Sequence, residues 1–175
     1  DQKLVFAMGG SLGAKTINDF MFEAASRPEF KDVQFVLGSG KQQTRFVDGK
    51  TIPDNLKVYE YIDNPQDYLV GADVSITRAG AVTCAETAAI GSCSVLVPYP
   101  HAAHDHQTFN ASAFDKVGGC VMMSDDDVAG GKLFAVVDQL LKDDAKRAQI
   151  RKNALSLAVY DCPDRIFNAI DGLFN

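Results

Sequence analysis

Positive charge is in short supply in this chain. Lysine and arginine number 17 against 23 aspartates and glutamates, a formal net charge of −6, which argues against a nucleic-acid footprint. Long apolar runs are missing too: none approaches the roughly 18 residues that a membrane span needs, and no signal peptide is visible. The four cysteines, Cys84, Cys93, Cys120 and Cys162, are too widely spaced for a zinc ribbon or a redox pair. They read as reduced, mostly buried thiols of a cytosolic protein. No internal repeat and no low-complexity linker interrupts the chain, so residues 1–175 read as one domain. An initiator Met is absent as well. The chain enters a strand almost at once after Asp1, and is therefore expected to be a fragment cut near a domain boundary.

What is present is a 46% hydrophobic composition, enough for a core, in alternating strand and helix patterns. Strands are expected at Leu4–Met8, Val33–Leu37, Leu56–Tyr59, Val74–Thr77, Ser94–Val97 and Cys120–Met123. Helices are expected at Lys15–Ser26, from Pro65 to Val70 with Asn64 as N-cap, and at Thr83–Ile90, Gln107–Val117, Asp127–Lys142, Asp144–Val159 and Pro163–Phe174. Gln42–Asp48 is ambiguous. Short strands each followed by a helix imply an α/β fold, an open and mostly parallel sheet of about six strands with helices on both faces. Phe6, Phe35, Phe46 and Phe134 fall at core positions.

Gly9-Gly10-Ser11-Leu12-Gly13-Ala14 lies between the first strand and the first helix. Glycines there allow a tight turn and let backbone N–H groups approach an anion, while the helix behind favours phosphate. Ser11 adds a hydroxyl. The competing view is a glycine-rich turn with no ligand. A nicotinamide site fits less well: Met8 occupies the first position of G-x-G-x-x-G, and the second strand ends in Gly38 rather than in an acid for a ribose. Arg78-Ala79-Gly80-Ala81-Val82-Thr83 is a second strand-to-helix turn, suited to the other phosphate of a diphosphate. Glu86, three residues after Thr83, suits two vicinal ribose hydroxyls or simply complements the helix N-terminus.

All three histidines, His101, His104 and His106, fall within six residues. Their spacing matches no zinc signature, and a polar loop presenting Gln107 and Asn110 to a ligand is the preferred reading. Asp125-Asp126-Asp127 contains a D-x-D spacing able to hold a divalent cation. It directly precedes a helix, so capping is preferred. Tyr61-Ile62-Asp63 follows the third strand, where a ring and an aliphatic side chain sandwich a base or merely pack a loop.

Four segments taken together, G-G-S-L-G-A, Y-E-Y-I-D, R-A-G-A-V-T-C-A-E and V-P-Y-P-H-A-A-H-D-H-Q-T-F-N-A, resemble the C-terminal, sugar-nucleotide-binding half of the MurG family, in glycosyltransferase family 28. The resemblance covers essentially the whole chain. It implies one Rossmann-like half of a two-domain GT-B enzyme that binds UDP-N-acetylglucosamine and, as a whole, makes lipid II from lipid I by an inverting transfer. Residue by residue, Ser11 with Gly9, Gly10, Gly13 and Gly80 would contact the diphosphate. Ile62 would pair with uracil beside Tyr61. Ala81, Val82 and Thr83 would meet the sugar-phosphate, Glu86 the ribose, and His106 and Gln107 the sugar, with Asn110 supporting the loop. The resemblance implies no cofactor, no obligatory metal and no catalytic residue within the chain. General base, acceptor site and membrane contact would belong to an N-terminal half, at the cytoplasmic face of the inner membrane. One departure is Ala79, where many relatives carry serine. The alternatives are a stand-alone donor-binding subunit of a split transferase, half of a UDP-sugar epimerase, or a metal-binding loop protein.

Overall fold

The computed structural model describes residues 2–41 and 49–173. Six strands form one sheet: β1 (Lys3–Met8), β2 (Val33–Gly38), β3 (Leu56–Tyr59), β4 (Val74–Thr77), β5 (Ser94–Leu96) and β6 (Val121–Met122). Their spatial order is β3-β2-β1-β4-β5-β6, and every neighbouring pair is parallel. The chain thus winds outward from β1 in one direction, crosses back, and winds outward from β4 in the other. The reversal leaves β1 and β4 side by side at a topological switch point, where open α/β sheets receive ligands beyond the carboxyl ends of their strands.

Both faces of the sheet are buried, and successive residues serve them alternately. Val5 and Ala7, Phe35 and Leu37, Val74 and Ile76, and Val95 and Val97 enter one core, with Ile17, Phe20 and Met21 of α1 (Lys15–Ala25) and Leu133, Val137 and Leu140 of α6 (Lys132–Lys142). The residues between them point the other way. Phe6 and Val36 pack with Leu69 of α2 (Pro65–Gly71), and Phe6 stacks on Tyr68 at 5.3 Å between ring centres. Leu96 packs with Cys84 and Ala88 of α3 (Ala81–Ile90) and with Ala111 and Phe114 of α4 (His106–Lys116). α7 (Asp144–Leu155) joins the two layers, with Ile150 in one core and Ala154 in the other.

Several expectations need correction. The helix expected at Asp127–Lys142 is two, α5 (Asp125–Ala129) and α6, separated by Gly130-Gly131. Gly131 has φ 80°, a left-handed conformation that ends a helix at little cost only in glycine. The acids of 125–127 do not cap α5; Ser124 does, its Oγ accepting the Asp127 N–H at 3.0 Å. Asn64 occupies the N-cap position of α2 without a side-chain capping bond. Phe134 is only partly buried. Phe46 and the ambiguous stretch Gln42–Asp48 lie outside the described residues. The last helix, α8 (Cys162–Asp171), has no buried residue, and Ile166, Phe167 and Ile170 stay exposed. Cys84, Cys93 and Cys120 are buried free thiols, whereas Cys162 is exposed. Among the described residues no helix is long and apolar enough to cross a membrane.

Candidate functional site

Met8 and Thr77 are partners in register at the carboxyl ends of β1 and β4. From there the chain departs to opposite faces, into α1 on one side and α3 on the other. The two helix N-termini therefore flank the gap between the strand ends. The residues before them, Ala14 and Gly80, supply no side-chain cap. The leading N–H groups of both helices, which have no intrahelical acceptor, make the gap attractive to an anion.

Two adjoining clefts open at this place. The larger, about 550 Å³, is lined by the Gly9–Thr16 turn, Arg78, Gly80, Thr83, Tyr99, Gln107 and Asp125. That volume falls in the range of small-ligand sites. The smaller, about 130 Å³, is lined among others by Gly38, Gly40, Tyr61, Ile62 and Pro65. Met8, Gly10 and Ser11 line both, so the glycine turn is a shared wall.

That wall is held by its neighbours. Gly13 N–H donates to Gly10 O at 3.0 Å and Lys41 N–H to Ser11 O at 3.0 Å. Gly40, at φ 85°, lies so close that a Cβ there would stand 2.1 Å from the Gly13 nitrogen. Gly40 N–H reaches Glu60 O at 3.0 Å, and Asn18 Nδ2, buried in α1, donates to Ser39 O at 3.0 Å. Three strand-end turns, after β1, β2 and β3, thus form one unit that joins the small cleft to the large one.

Of the residues singled out from sequence, Gly9, Gly10, Ser11, Gly13, Gly80, Thr83 and Gln107 line the large cleft, and Tyr61 and Ile62 the small one. Ala81, Val82, Glu86, His106 and Asn110 lie outside both linings. Val82 is exposed on the first turn of α3. Glu86 Oε1 accepts a hydrogen bond from Gln66 Nε2 at 2.6 Å, next to Pro65 on the small cleft's rim. Asn110 Nδ2 donates to Ala79 O at 3.0 Å, bracing the second glycine turn from α4. His106 Nδ1 sits 2.7 Å from Ala103 O, while the His101 ring meets the Tyr99 ring edge-on at 5.6 Å. The His101 and His106 rings are thus engaged by different partners. Gln107 Oε1 accepts the Tyr99 N–H at 2.9 Å, which leaves the amide's Nε2 side for a ligand.

Sequence reasoning missed Tyr99, Arg78 and Asp125 as cleft residues. Asp125 is not the cap of α5. It pairs with Arg78 at 2.6 Å, while Asp127 pairs with Lys132 at 2.5 Å and bonds Ser124. The available signal was Arg78 itself, a cation directly after the fully buried strand Val74–Thr77. A charge in that place must find a partner at the strand ends.

Sheet order and crevice define the class: a doubly wound α/β domain of Rossmann topology with a cleft at its switch point. The comparisons narrow it. The family profile described as glycosyltransferase family 28 C-terminal domain matches residues 4–166, and the chain belongs to that family. Two relatives carry the name UDP-N-acetylglucosamine–N-acetylmuramyl-(pentapeptide) pyrophosphoryl-undecaprenol N-acetylglucosamine transferase. The one from Caldicellulosiruptor saccharolyticus is 35% identical over 83% of this chain and 40% of its own length. The one from Thermoanaerobacter sp. (strain X514) is 32% identical over 99% of this chain and 49% of its own. The chain thus spans less than half the length of these curated relatives. Among solved structures, Acinetobacter baumannii MurG superposes with a TM-score of 0.81 at 24% identity, over 98% of this chain and 50% of that one. The calicheamicin glycosyltransferase CalG4 superposes with 0.69 at 21% identity. Both likenesses speak to the fold, which is that of one half of a GT-B glycosyltransferase.

Proposed function

We propose that this chain is the donor half of an inverting N-acetylglucosaminyltransferase. It binds UDP-N-acetylglucosamine, and the sugar passes to an undecaprenyl-linked muramyl-pentapeptide, lipid I, giving lipid II at the cytoplasmic face of the plasma membrane. The observation that carries the reading is the pair of clefts sharing the Gly10-Ser11 wall. The small cleft suits a flat base, the shared wall a diphosphate, and the larger cleft a sugar.

In this reading Ile62 pairs with the uracil edge through its backbone N–H and C=O, and Tyr61 lies against the ring. Glu86 takes the ribose hydroxyls in exchange for Gln66. Ser11 and the N–H groups after Gly13 and Gly80 hold the diphosphate. Ala81, Val82 and Thr83 meet the sugar-phosphate, and Gln107 offers its amide donors to the sugar, with His106 beside it and Asn110 bracing the turn. During transfer the acceptor oxygen forms its bond to the anomeric carbon from the face opposite the diphosphate. The bond from that carbon to the phosphate oxygen breaks, and the acceptor proton passes to a base on the acceptor-bearing domain. Charge grows on the departing diphosphate, where the N-termini of α1 and α3 stabilise it from fixed positions. That electrostatic role makes an obligatory metal unnecessary.

The domain that carries acceptor site, general base and membrane contact is proposed to complete the enzyme. Support comes from the shorter span of this chain relative to its relatives and from the exposed apolar face of α8. An epimerase needs free acid/base carboxylates in the crevice, whereas among the described residues the one acid lining the larger cleft, Asp125, is engaged by Arg78 and Thr16.

Calorimetric titration with UDP-N-acetylglucosamine, UDP-glucose and UDP, with EDTA present, tests the reading. Uracil-dependent binding that is tighter for the acetamido sugar is expected. Absence of binding by this chain, and by a longer chain that includes its acceptor half, would overturn it.

A further inference from the structure

The larger cleft holds a charge pair that nothing above assigns to the ligand. Arg78 leaves the end of β4 with its side chain 11% exposed and meets Asp125, 22% exposed, at 2.6 Å. Its Nη1 also donates to Val97 O at 3.3 Å and Pro98 O at 3.1 Å, the carbonyls where the chain leaves β5. The guanidinium carbon lies 5.5 Å from the Tyr99 ring centre. Asp125 Oδ1 takes a second hydrogen bond, from Thr16 Oγ1 on α1, at 2.7 Å. One ion pair therefore ties together α1, α5 and the ends of β4 and β5.

An arginine beside an anion site ordinarily clamps the anion. Here its terminal nitrogen already serves two carbonyls and a carboxylate, and its charge is cancelled by Asp125. A diphosphate drawn to the other guanidinium N–H groups would lie beside the Asp125 carboxylate, whose charge opposes it. What the pair does control is the 97–99 segment. The Tyr99 N–H at the end of that segment holds Gln107 Oε1 at 2.9 Å, and this bond sets where the Gln107 amide points.

We infer that Arg78 and Asp125 form a positioning latch. It acts through Tyr99 and Gln107 on the sugar end of the cleft and leaves the diphosphate and base ends alone. This rests on the donor-binding reading above and adds to it which residues determine the preference for the sugar over bare UDP.

The test uses Arg78→Gln and Asp125→Asn, with Thr16→Val as a milder variant should Arg78→Gln fail to fold. Each is titrated with UDP and with UDP-N-acetylglucosamine, and amide exchange is followed over 97–107 without ligand. Loss of the Gln107 contact is expected to weaken UDP-N-acetylglucosamine about tenfold while UDP affinity holds within about twofold, a split that general destabilisation does not produce. Exchange at the Tyr99 amide is expected to rise about tenfold or more as its bond opens. The outcome that overturns the latch is Asp125→Asn tightening UDP while Arg78→Gln abolishes it, for then Arg78 is a direct diphosphate ligand. Equal losses for both ligands, or unchanged Tyr99 exchange, overturn it too. If neither the unaltered protein nor a longer chain that includes its acceptor half binds either nucleotide, the donor reading fails, and the exchange measurement alone decides the latch.

Discussion

Replacing Gly40 by alanine probes the unit on which both clefts depend. The residue has φ 85°, and its Cβ would stand 2.1 Å from the Gly13 nitrogen and 2.3 Å from its Cα. Both neighbours are backbone, so no side chain can swing aside. Restoring an ordinary contact of 3.4 Å parts the two turns by about 1.3 Å, the difference of the two distances. That movement breaks Lys41 N–H to Ser11 O and Gly40 N–H to Glu60 O, each 3.0 Å, at about 0.5–1.5 kcal/mol apiece. The left-handed backbone adds about 1–2 kcal/mol for any residue with a Cβ. The total is about 2–5 kcal/mol, or a melting temperature lower by about 4–20 °C for a chain of this size. Gly10 is the internal control: its φ is also 85°, but a Cβ there meets nothing within 4 Å, so alanine costs only the backbone strain, about 1–2 kcal/mol. Gly80, at φ −65° with open space around it, should tolerate alanine with little change in stability. Thermal unfolding of the three variants, followed by UDP titration well below each midpoint, reads both effects. A Gly40→Ala protein that melts with Gly10→Ala and binds UDP normally would refute the close packing of the two turns and their role in shaping the site.

Glu86→Ala is expected to weaken UDP binding by about 1–3 kcal/mol if the carboxylate takes the ribose hydroxyls; unchanged affinity in calorimetry would remove it from the site. Burial pushes the Cys84 and Cys93 thiols up to about 11 and Cys120 up to about 12. Iodoacetamide at pH 8 should therefore label the exposed Cys162 alone in the folded protein, and rapid labelling of any other would contradict the buried assignments. Lys3 and then Arg147 hold the Asp144 carboxyl below its ordinary value of 3.8. A lowered folded value means that its contribution is present above pH 3.8 and is lost as pH falls further. Asp144→Asn should thus unfold less steeply below about pH 4 in acid titrations by circular dichroism, with a small effect because the side chain is exposed. An unaltered acid profile would assign the pair no role in stability.

The elements were legible because their causes are local. A strand buried on both faces needs a short continuous apolar run, and Val5-Phe6-Ala7 and Val95-Leu96-Val97 are such runs, short and β-branched or aromatic in part. The Gly9–Gly13 turn announced itself through residues that few other conformations require. The break inside 127–142 was also local, in Gly130-Gly131, but the apolar period runs through it and hid it. Capping of α5 was assigned to the acids of 125–127 because Ser124 and the acids after it compete for the same role, and geometry chose the serine. Glu86 was legible as an acid on the first turns of α3. Its partner Gln66, 20 residues earlier, was not.

By itself the sequence determined that the chain alternates strand and helix, that two glycine turns precede helices, and that four motifs stand in the order of one glycosyltransferase family. The first two follow from periodicity and turn chemistry, which act over a few residues; the third is a resemblance carried by the motifs themselves. Only the tertiary structure decided that β1 and β4 lie side by side, so that both turns open onto one crevice, and that Gly40 is pressed against Gly13. It alone joined Arg78 to Asp125 and Thr16 to Asp125, the latter pair 109 residues apart. Such pairings depend on sheet order and loop packing, and two residues brought together by a crossover leave no mark in the spacing between them.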